Sequence, residues 1–365
     1  MSSPLFIDLN SLIEPISADN AVGTDIRLDS SPTSDYSQIR DARKSARAAE
    51  RSTIFDGNST EADEQWRTIL QMAPVILRTR AKDLEVACWY TEALVRKAGF
   101  QGLRDGFSLI RQLIEKFWDD LYPQPDEDGF VTRVAALTGL NGEGAEGVLI
   151  APMRNVPITE GTHPGPFNYW QYKQALDAQR MADEQGRTDL IAKNGFSMDD
   201  IQKAVDQSSQ AFYLDLRDDV KDALDEYKRI GHLLDEQCGI HDSPPASNIN
   251  NTLTDMLGAI VHIARLKLPQ PGSEEQMGSE DTAGTQSVSD FATGPVTSRD
   301  DAFRQLAQIS LFFRRTEPHS PISYILEKAV KWGNMSLDEL IQELIPDSSS
   351  RNTYSLLTGV KTNKE

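Results

Sequence analysis

Cysteine is nearly missing from this chain: 365 residues hold only Cys88 and Cys238, with no Cys-x-x-Cys pair. Two thiols build no disulfide framework and match no metal-ligand spacing, which predicts a reducing, cytoplasmic setting. Histidine is scarce as well. His163, His232, His241, His262 and His319 never stand three or four residues apart, so no two can share a helix face as a metal pair. No apolar run reaches about 18 residues, so no transmembrane helix is expected. The opening residues MSSPLFIDLN lack the basic and apolar regions of a secretory signal. Bases are outnumbered: 37 Lys and Arg face 56 Asp and Glu, for a formal net charge of -19. A nucleic acid or an anionic lipid surface would repel such a chain, so neither nucleic-acid binding nor membrane insertion is expected.

What is present suits a folded protein with real cores. Hydrophobic residues make up 39% and charged residues 25%, and the length predicts two or three domains. The charge is segregated. Residues 1–268 carry a net charge of -14, whereas residues 299–365 hold 9 bases and 9 acids. Between them, residues 269–298 contain five acids, no base and one aromatic residue, and are otherwise rich in Ser, Thr, Gly, Pro and Gln. Such a stretch buries too little apolar surface to offset the entropy of ordering, and it reads as a flexible acidic linker.

The periodicity predicts an all-α, multi-domain protein. Trp66, Ile69, Leu70, Ala73 and Leu77 fall at helical spacing, as do Leu84, Ala87, Cys88, Thr91, Leu94, Val95 and Ala98. A third run, from Leu103 to Leu121, stops before Pro123, and Gly99 and Gly102 mark the join with the second. From Gly139 to Pro166 the pattern fails, and VLIAPMRNVPI reads as irregular or briefly extended. Helical spacing resumes near Asn168. A long pattern then starts at Ser197, with Asp200 as its capping partner, and passes through Ile201, Val205, Ser208, Phe212, Val220, Leu224, Tyr227 and Leu234. One more helix is expected over 250–267. In the C-terminal module, Phe303 to Phe313 make one stripe, and Ser320-Pro321 opens a second over Ile322, Ile325, Leu326, Ala329 and Val330. Ser336 and Glu339 form a capping box for a third helix, and a short fourth is expected over 352–357. So small a unit makes a marginal core, which oligomerisation commonly remedies.

Residues that carry chemistry are few. There is no Gly-x-Ser-x-Gly, His-Glu-x-x-His or Walker loop. The glycine-rich stretch 139–147 follows a helix, lacks Lys-Ser/Thr and carries acids where phosphates would sit, so it reads as a loop. The pairs Asp119-Asp120, Asp199-Asp200 and Asp218-Asp219 read as solvated helix faces, because adjacent helical residues point about 100° apart. Trp66, Trp89, Trp118 and Tyr122 read as core. No catalytic group, cofactor or metal is expected. Phe312-Phe-Arg-Arg-Thr-Glu-Pro-His-Ser-Pro-Ile322 has two readings: turn and helix-dipole chemistry, or a polar edge whose arginines fork onto a partner's carboxylates. The second reading makes Phe312, Trp332 and Leu356 candidate anchors of a subunit contact, with Arg314, Arg315, Glu317 and His319 as its polar rim.

These stretches also carry a family resemblance. Leu12-Ile-Glu-Pro-Ile-Ser, Gly23-Thr-Asp-Ile-Arg27, Lys82-Asp-Leu84, Trp89, Gly99-Phe-Gln-Gly-Leu103, Phe117-Trp-Asp-Asp-Leu-Tyr-Pro123 and Arg133 resemble, in order and spacing, the ImpA-like N-terminal domain of the TssA family of bacterial type VI secretion systems. The VLIAPMRNVPI stretch resembles the segment that follows that domain. The 312–321 stretch and Ala329-Val-Lys-Trp-Gly333 look like the C-terminal domain of one TssA branch. With that resemblance the chain divides into an ImpA-like domain (1–150), a middle helical region (151–268), the linker (269–298) and a C-terminal oligomerisation domain (299–365). The resemblance implies a cytoplasmic, non-enzymatic assembly protein that forms a ring with itself and works with baseplate, inner tube and sheath components. A distal sheath-cap or sheath-stabilising role and a monomeric adaptor remain as alternatives, and so does an enzyme built from sequence-distant carboxylates. The module is shorter than that of the branches that cap the growing tail.

Overall fold

The computed structural model describes residues 2–56, 59–127, 129–239 and 242–269 and, beyond these, 303, 306, 307, 309–311, 314, 321–333, 335 and 347. The chain separates into two compact units, Met1–Pro269 and Gln270–Glu365. The described residues are helical, with isolated β-bridges and no sheet, as expected of an all-α protein.

The first unit contains α1 (Leu9–Leu12), α2 (Asp35–Asp56), α3 (Thr60–Thr79), α4 (Leu84–Phe117), α5 (Val131–Asn141), α6 (Ile150–Asn155), α7 (Tyr169–Arg180), α8 (Glu184–Asn194), α9 (Met198–Gln207), α10 (Gln210–Cys238) and α11 (Ser247–Ile263). The second contains the helix Pro321–Gly333, with helical residues at 303, 306, 307, 309–311 and 314. The expected third and fourth C-terminal helices, like the linker, lie outside the described residues.

α4 organises the first unit. Its backbone breaks at Ala98 and Gly99, where Gly99 has φ 57° and ψ -136°. The two arms, 84–97 and 100–117, fold back on each other as a hairpin. A Cβ on Gly102 would fall 2.3 Å from the Leu94 carbonyl oxygen, and one on Gly106 would fall 2.6 Å from Thr91 Oγ1. Gly102 therefore lets the arms approach at backbone distance, and Gly106 makes room for the Thr91 side chain. The open ends of the hairpin are joined as well, because Leu84 N–H donates to the Tyr122 carbonyl at 2.7 Å. α3 and α10 pack on this hairpin and α2 packs on α3. Leu94, Leu103, Phe107, Leu109 and Leu113 are fully enclosed, and Phe107 meets Tyr227 of α10 with ring centroids 4.8 Å apart.

Local signals place several boundaries. Asp83 caps α4 by accepting from Val86 N–H at 3.0 Å. Ser197 and Asp200 form the expected capping box of α9, and Asn168 and Gln171 form another at α7. Three expectations need correction. The long pattern from Ser197 is two helices: α9 ends at Gln207, and Ser209 caps α10 by accepting from Phe212 N–H at 3.1 Å. Ser208 is buried in that break, where its hydroxyl donates to the Ala204 carbonyl at 2.7 Å and accepts Glu160 N–H at 2.8 Å. A serine that binds backbone locally can end a helix without breaking its spacing. Second, VLIAPMRNVPI contains a helix, α6, with Pro152 in its first turn, where no intrahelical N–H is needed. Third, Asp219 is not on a solvated face. It is 4% exposed and is held by Arg104, as described below.

The hairpin makes a testable distinction between glycines. Gly102→Ala should destabilise the protein by about 1–3 kcal/mol, because the added carbon meets backbone rather than a movable side chain. Gly139→Ala on α5, where a Cβ would have nothing within 4 Å, should stabilise by up to about 1 kcal/mol through helix propensity. Urea denaturation of both variants reads the difference. Equal effects of the two would show that the arms do not pack through Gly102.

Candidate functional site: charged clamps on the α4 hairpin and a basic cleft

The residues singled out in the N-terminal half converge on α4, and their geometry is that of structural clamps. Arg27 grips both Asp83, the cap of α4, at 2.6 and 3.3 Å, and Glu85 at 2.5 Å. Its guanidinium lies 4.8 Å from the Tyr36 ring, which stacks on Trp89. Gly23 has φ 79°, and a Cβ there would sit 2.0 Å from the Arg80 carbonyl oxygen, so only glycine fits this approach. Arg133 is 1% exposed and donates to the Trp118 and Pro123 carbonyls at 2.5 and 2.9 Å, which secures the chain leaving the hairpin.

Lys82 is fully buried, and its ammonium donates to the Leu12 and Leu77 carbonyls at 2.7 Å each. It thereby satisfies orphan acceptors at the ends of α1 and α3. Burial pushes its pKa down to about 8, with Glu14 opposing that shift and Lys116 adding to it.

A third clamp holds the N-terminal strap. Arg104 donates to Asp105 at 2.9 Å, to Asp219 of α10 at 2.6 Å and to the Ser3 and Pro4 carbonyls at 2.8 and 3.0 Å. Asp105 accepts Phe6 N–H at 2.6 Å, and Asp219 accepts the Ser3 backbone and hydroxyl at 3.1 and 2.6 Å. Burial raises the Asp219 pKa despite the bonds from Ser3 and the Arg104 charge. The sequence signal for this clamp was weak. An aspartate at a buried position of an amphipathic helix marks it, but only the fold supplies Arg104.

One region differs in character. α2 carries five bases against four acids, inside a body that is strongly acidic. Arg43, Arg47 and Arg51 succeed one another at every fourth residue, so they share a face and repel, at about 0.2–0.5 kcal/mol per pair. Arg43 is neutralised by the buried Glu92 at 2.6 Å, and Arg96 by Glu50 at 2.5 Å while it covers Trp66. Arg47, Arg51 and Lys97 have no anionic partner among the described residues. They line an open cleft of about 810 Å³, whose wall across the α4 bend is formed by Val148, Ala151, Pro152 and Val156. Burial lowers the Arg47 pKa, and the charges of Arg43, Arg51 and Arg96 lower it further, against Glu92. Sequence reading missed this cleft, although the four-residue spacing of arginines was there to be seen.

In the C-terminal unit, Arg314 pairs with Glu327 at 3.1 Å and lies 5.5 Å from the Tyr324 ring, with both ionic side chains about half exposed. Such a pair contributes at most about 1 kcal/mol. Trp332 is half-buried, with Lys328 Nζ 4.9 Å from its ring. Phe312, Arg315, Glu317, His319 and Leu356 lie outside the described residues. Among the described residues no group of His, Cys, Asp or Glu could hold a metal ion, and no helix is long and apolar enough to cross a membrane.

The family described as ImpA, N-terminal, type VI secretion system matches residues 13–142. A solved N-terminal domain, including the conserved ImpA_N region, of the TssA component of the type VI secretion system from Burkholderia cenocepacia superposes with a TM-score of 0.59. That match is 26% identical and covers 73% of this chain and 96% of the solved one. The type VI secretion system component TssA1 of Pseudomonas aeruginosa is 26% identical over 361 residues, covering 94% of this chain and 97% of its own. Residues 13–142 thus match the ImpA N-terminal family of the type VI secretion system, and the chain is similar along most of its length to a TssA component of such a system.

Two groups here make checkable predictions. Between pH of about 8 and 10.5 the unfolded chain holds a proton on Lys82 that the folded chain has lost, so the Lys82 contribution to stability rises with pH across that window. Lys82→Met should flatten this rise in denaturant melts. It should also destabilise at neutral pH by about 2 kcal/mol or more, as two carbonyls lose their donor. Cys88 is fully buried, and burial raises its thiol pKa well above the ordinary value. Native protein should therefore expose at most one thiol, Cys238, to a chromogenic disulfide reagent, with the second released only by denaturant. Rapid release of two would show that Cys88 is open to solvent.

Proposed function

We propose that this protein is a non-enzymatic assembly factor of its secretion system, in which the C-terminal unit joins copies into a ring that displays the acidic bodies. The ring helps build the baseplate and coordinates tube and sheath assembly in the cytoplasm. The observation that carries this reading is the apolar surface left open on the second unit. Ile322, Tyr324 and Ile325 on the helix Pro321–Gly333 are 42, 57 and 64% exposed, and Ile309 and Leu311 are 44 and 53% exposed. Apolar side chains exposed on so small a unit favour burial against another chain. Charge agrees, because residues 299–365 have equal numbers of acids and bases, whereas bodies with a net charge of -14 repel one another. The candidate anchors Phe312, Trp332 and Leu356, with Arg314, Arg315, Glu317 and His319 around them, fall in the same unit. A ring of one repeated contact would be heterologous, each copy offering two different surfaces. Residues 269–298 would then act as tethers that raise the local concentration of bodies at a multi-copy target. TssA1 of Pseudomonas aeruginosa, matched along nearly its whole length, supports a shared role in the machine.

Solution mass by light scattering tests the assignment. The full chain should be a large oligomer, and residues 1–269 alone should be monomeric or dimeric. Ile325→Glu and Trp332→Ala in the full chain should each weaken assembly at least about tenfold, the change expected from losing about 1.4 kcal/mol at a buried contact. A truncated body that still forms the large oligomer would reverse the assignment.

A further inference from the structure

The clamps on α4 leave one charged feature unused. Across most of the first unit, cations near the hairpin are matched: Arg27 with Asp83 and Glu85, Arg104 with Asp105 and Asp219, and Arg111 with Glu226 and Glu115. The cleft beside the Gly99 bend brings unpaired cations together. There Arg47 and Arg51 stand one helical turn apart on α2, and Lys97 approaches from the first arm of α4. None of the three has an anionic partner among the described residues. Arg43 and Arg96 stand close by, with their own charges committed to Glu92 and Glu50. Arg47 is partly withdrawn from water, and its neighbours' charges act against its ionisation. In a body with a net charge of -14, three unpaired cations in one recess make a local patch opposite in sign to the overall charge.

We propose that this cleft is a docking site for an acidic, partly apolar segment of a partner protein, whose carboxylates fork onto Arg47 and Arg51 while its apolar side chains rest on Val148, Ala151 and Val156. Guanidinium groups match carboxylates in a two-pronged geometry, and two of them a turn apart suit a segment that presents acids at helical or extended spacing. The wall is carbon-rich enough to take side chains. Three acids also line the cleft: Glu50, committed to Arg96, Glu146, committed to Arg154, and Asp63, and they set the kind of anion. A nucleic acid brings dense charge that these acids and the acidic surface repel, whereas a segment with a few carboxylates meets the arginines within a Debye length of about 8 Å and avoids the rest. This inference does not depend on ring formation, since it concerns the body alone.

The probe is a fluorescein-labelled peptide of repeated Glu-Leu-Glu-Glu-Ala, titrated into the full chain and followed by anisotropy at low and high salt. Its counterpart with Gln for every Glu is titrated in parallel. We expect saturable binding of the acidic peptide, weakened by salt, and at least tenfold weaker binding of the Gln peptide. Arg47→Glu combined with Arg51→Glu should reduce affinity at least tenfold, while Lys228→Glu on α10 should leave it unchanged. Arg51 is exposed and Arg47 half-buried, so the double variant should keep its fold; an unchanged circular dichroism melt confirms this. If it melts early, Lys97→Glu, on an exposed side chain, carries the test by the same tenfold criterion. Failure of the acidic peptide to bind, equal binding by the double variant, or tighter binding of a labelled oligouridylate would each overturn the proposal. So would a fall in oligomer mass in the double variant without peptide, since the cleft would then hold a second copy of the chain. Ring loss in Ile325→Glu with peptide binding retained would count against the proposed ring alone.

Discussion

Nearly everything in the first unit depends on the burial of the α4 hairpin. Its two arms meet through Gly102 and Gly106 and are covered by α3 and α10, so most of their side chains see no water. Burial at that depth leaves no tolerance for an unpaired charge, because an isolated ion in the interior is disfavoured by several kcal/mol, on the order of what the whole fold retains. The buried acids on and beside the hairpin are therefore each paired: Asp83 with Arg27, Glu92 with Arg43, and Asp105 with Arg104, which also reaches Asp219. Through Arg27, Arg43 of α2 and Asp219 of α10, matching charges also fixes where these segments lie.

The polar fittings divide labour with the apolar core. Leucine, isoleucine and phenylalanine supply the driving force for closing the hairpin, in proportion to the area removed from water. They do not by themselves choose a register. Lysine and arginine reaching backbone carbonyls do, since Lys82 must meet both Leu12 and Leu77, and Arg133 must meet both Trp118 and Pro123. A slip of one residue would strand these donors. The unmatched cations of the cleft stand out against that economy, as do the exposed apolar side chains of the second unit against the closed core of the first.

The residues that carry the family resemblance are mostly those of the clamps, and this explains why they were legible without revealing a function. Gly23, Arg27, Lys82, Asp83 and Arg133 are constrained by geometry that admits little else, so they form a recognisable order along the chain. The features that bear on partners are of a different kind. Arg47, Arg51 and Lys97 are ordinary surface residue types, and only their shared recess makes them notable. Asp219 was misjudged for a related reason: two adjacent aspartates on a helix resemble a solvated face until an arginine 115 residues away is folded against one of them.

The sequence by itself determined the helical class, the starts of α4, α7, α9 and the helix Pro321–Gly333, the enclosed Trp66, Trp89 and Trp118, the buried Cys88 and the uneven distribution of charge. These follow from local spacing, capping chemistry and composition, which act between neighbours in the chain. It could not show that the helices on either side of Gly99 fold back as one hairpin, since a glycine at a helix end permits many exit angles. Nor could it show the break at Ser208, where spacing continues across a change of direction, or the helix hidden in a proline-bearing stretch. Tertiary structure decided these, along with the partners of every buried charge and the cleft beside the bend. Such features depend on contacts between residues far apart in the chain, and one-dimensional periodicity holds no record of them.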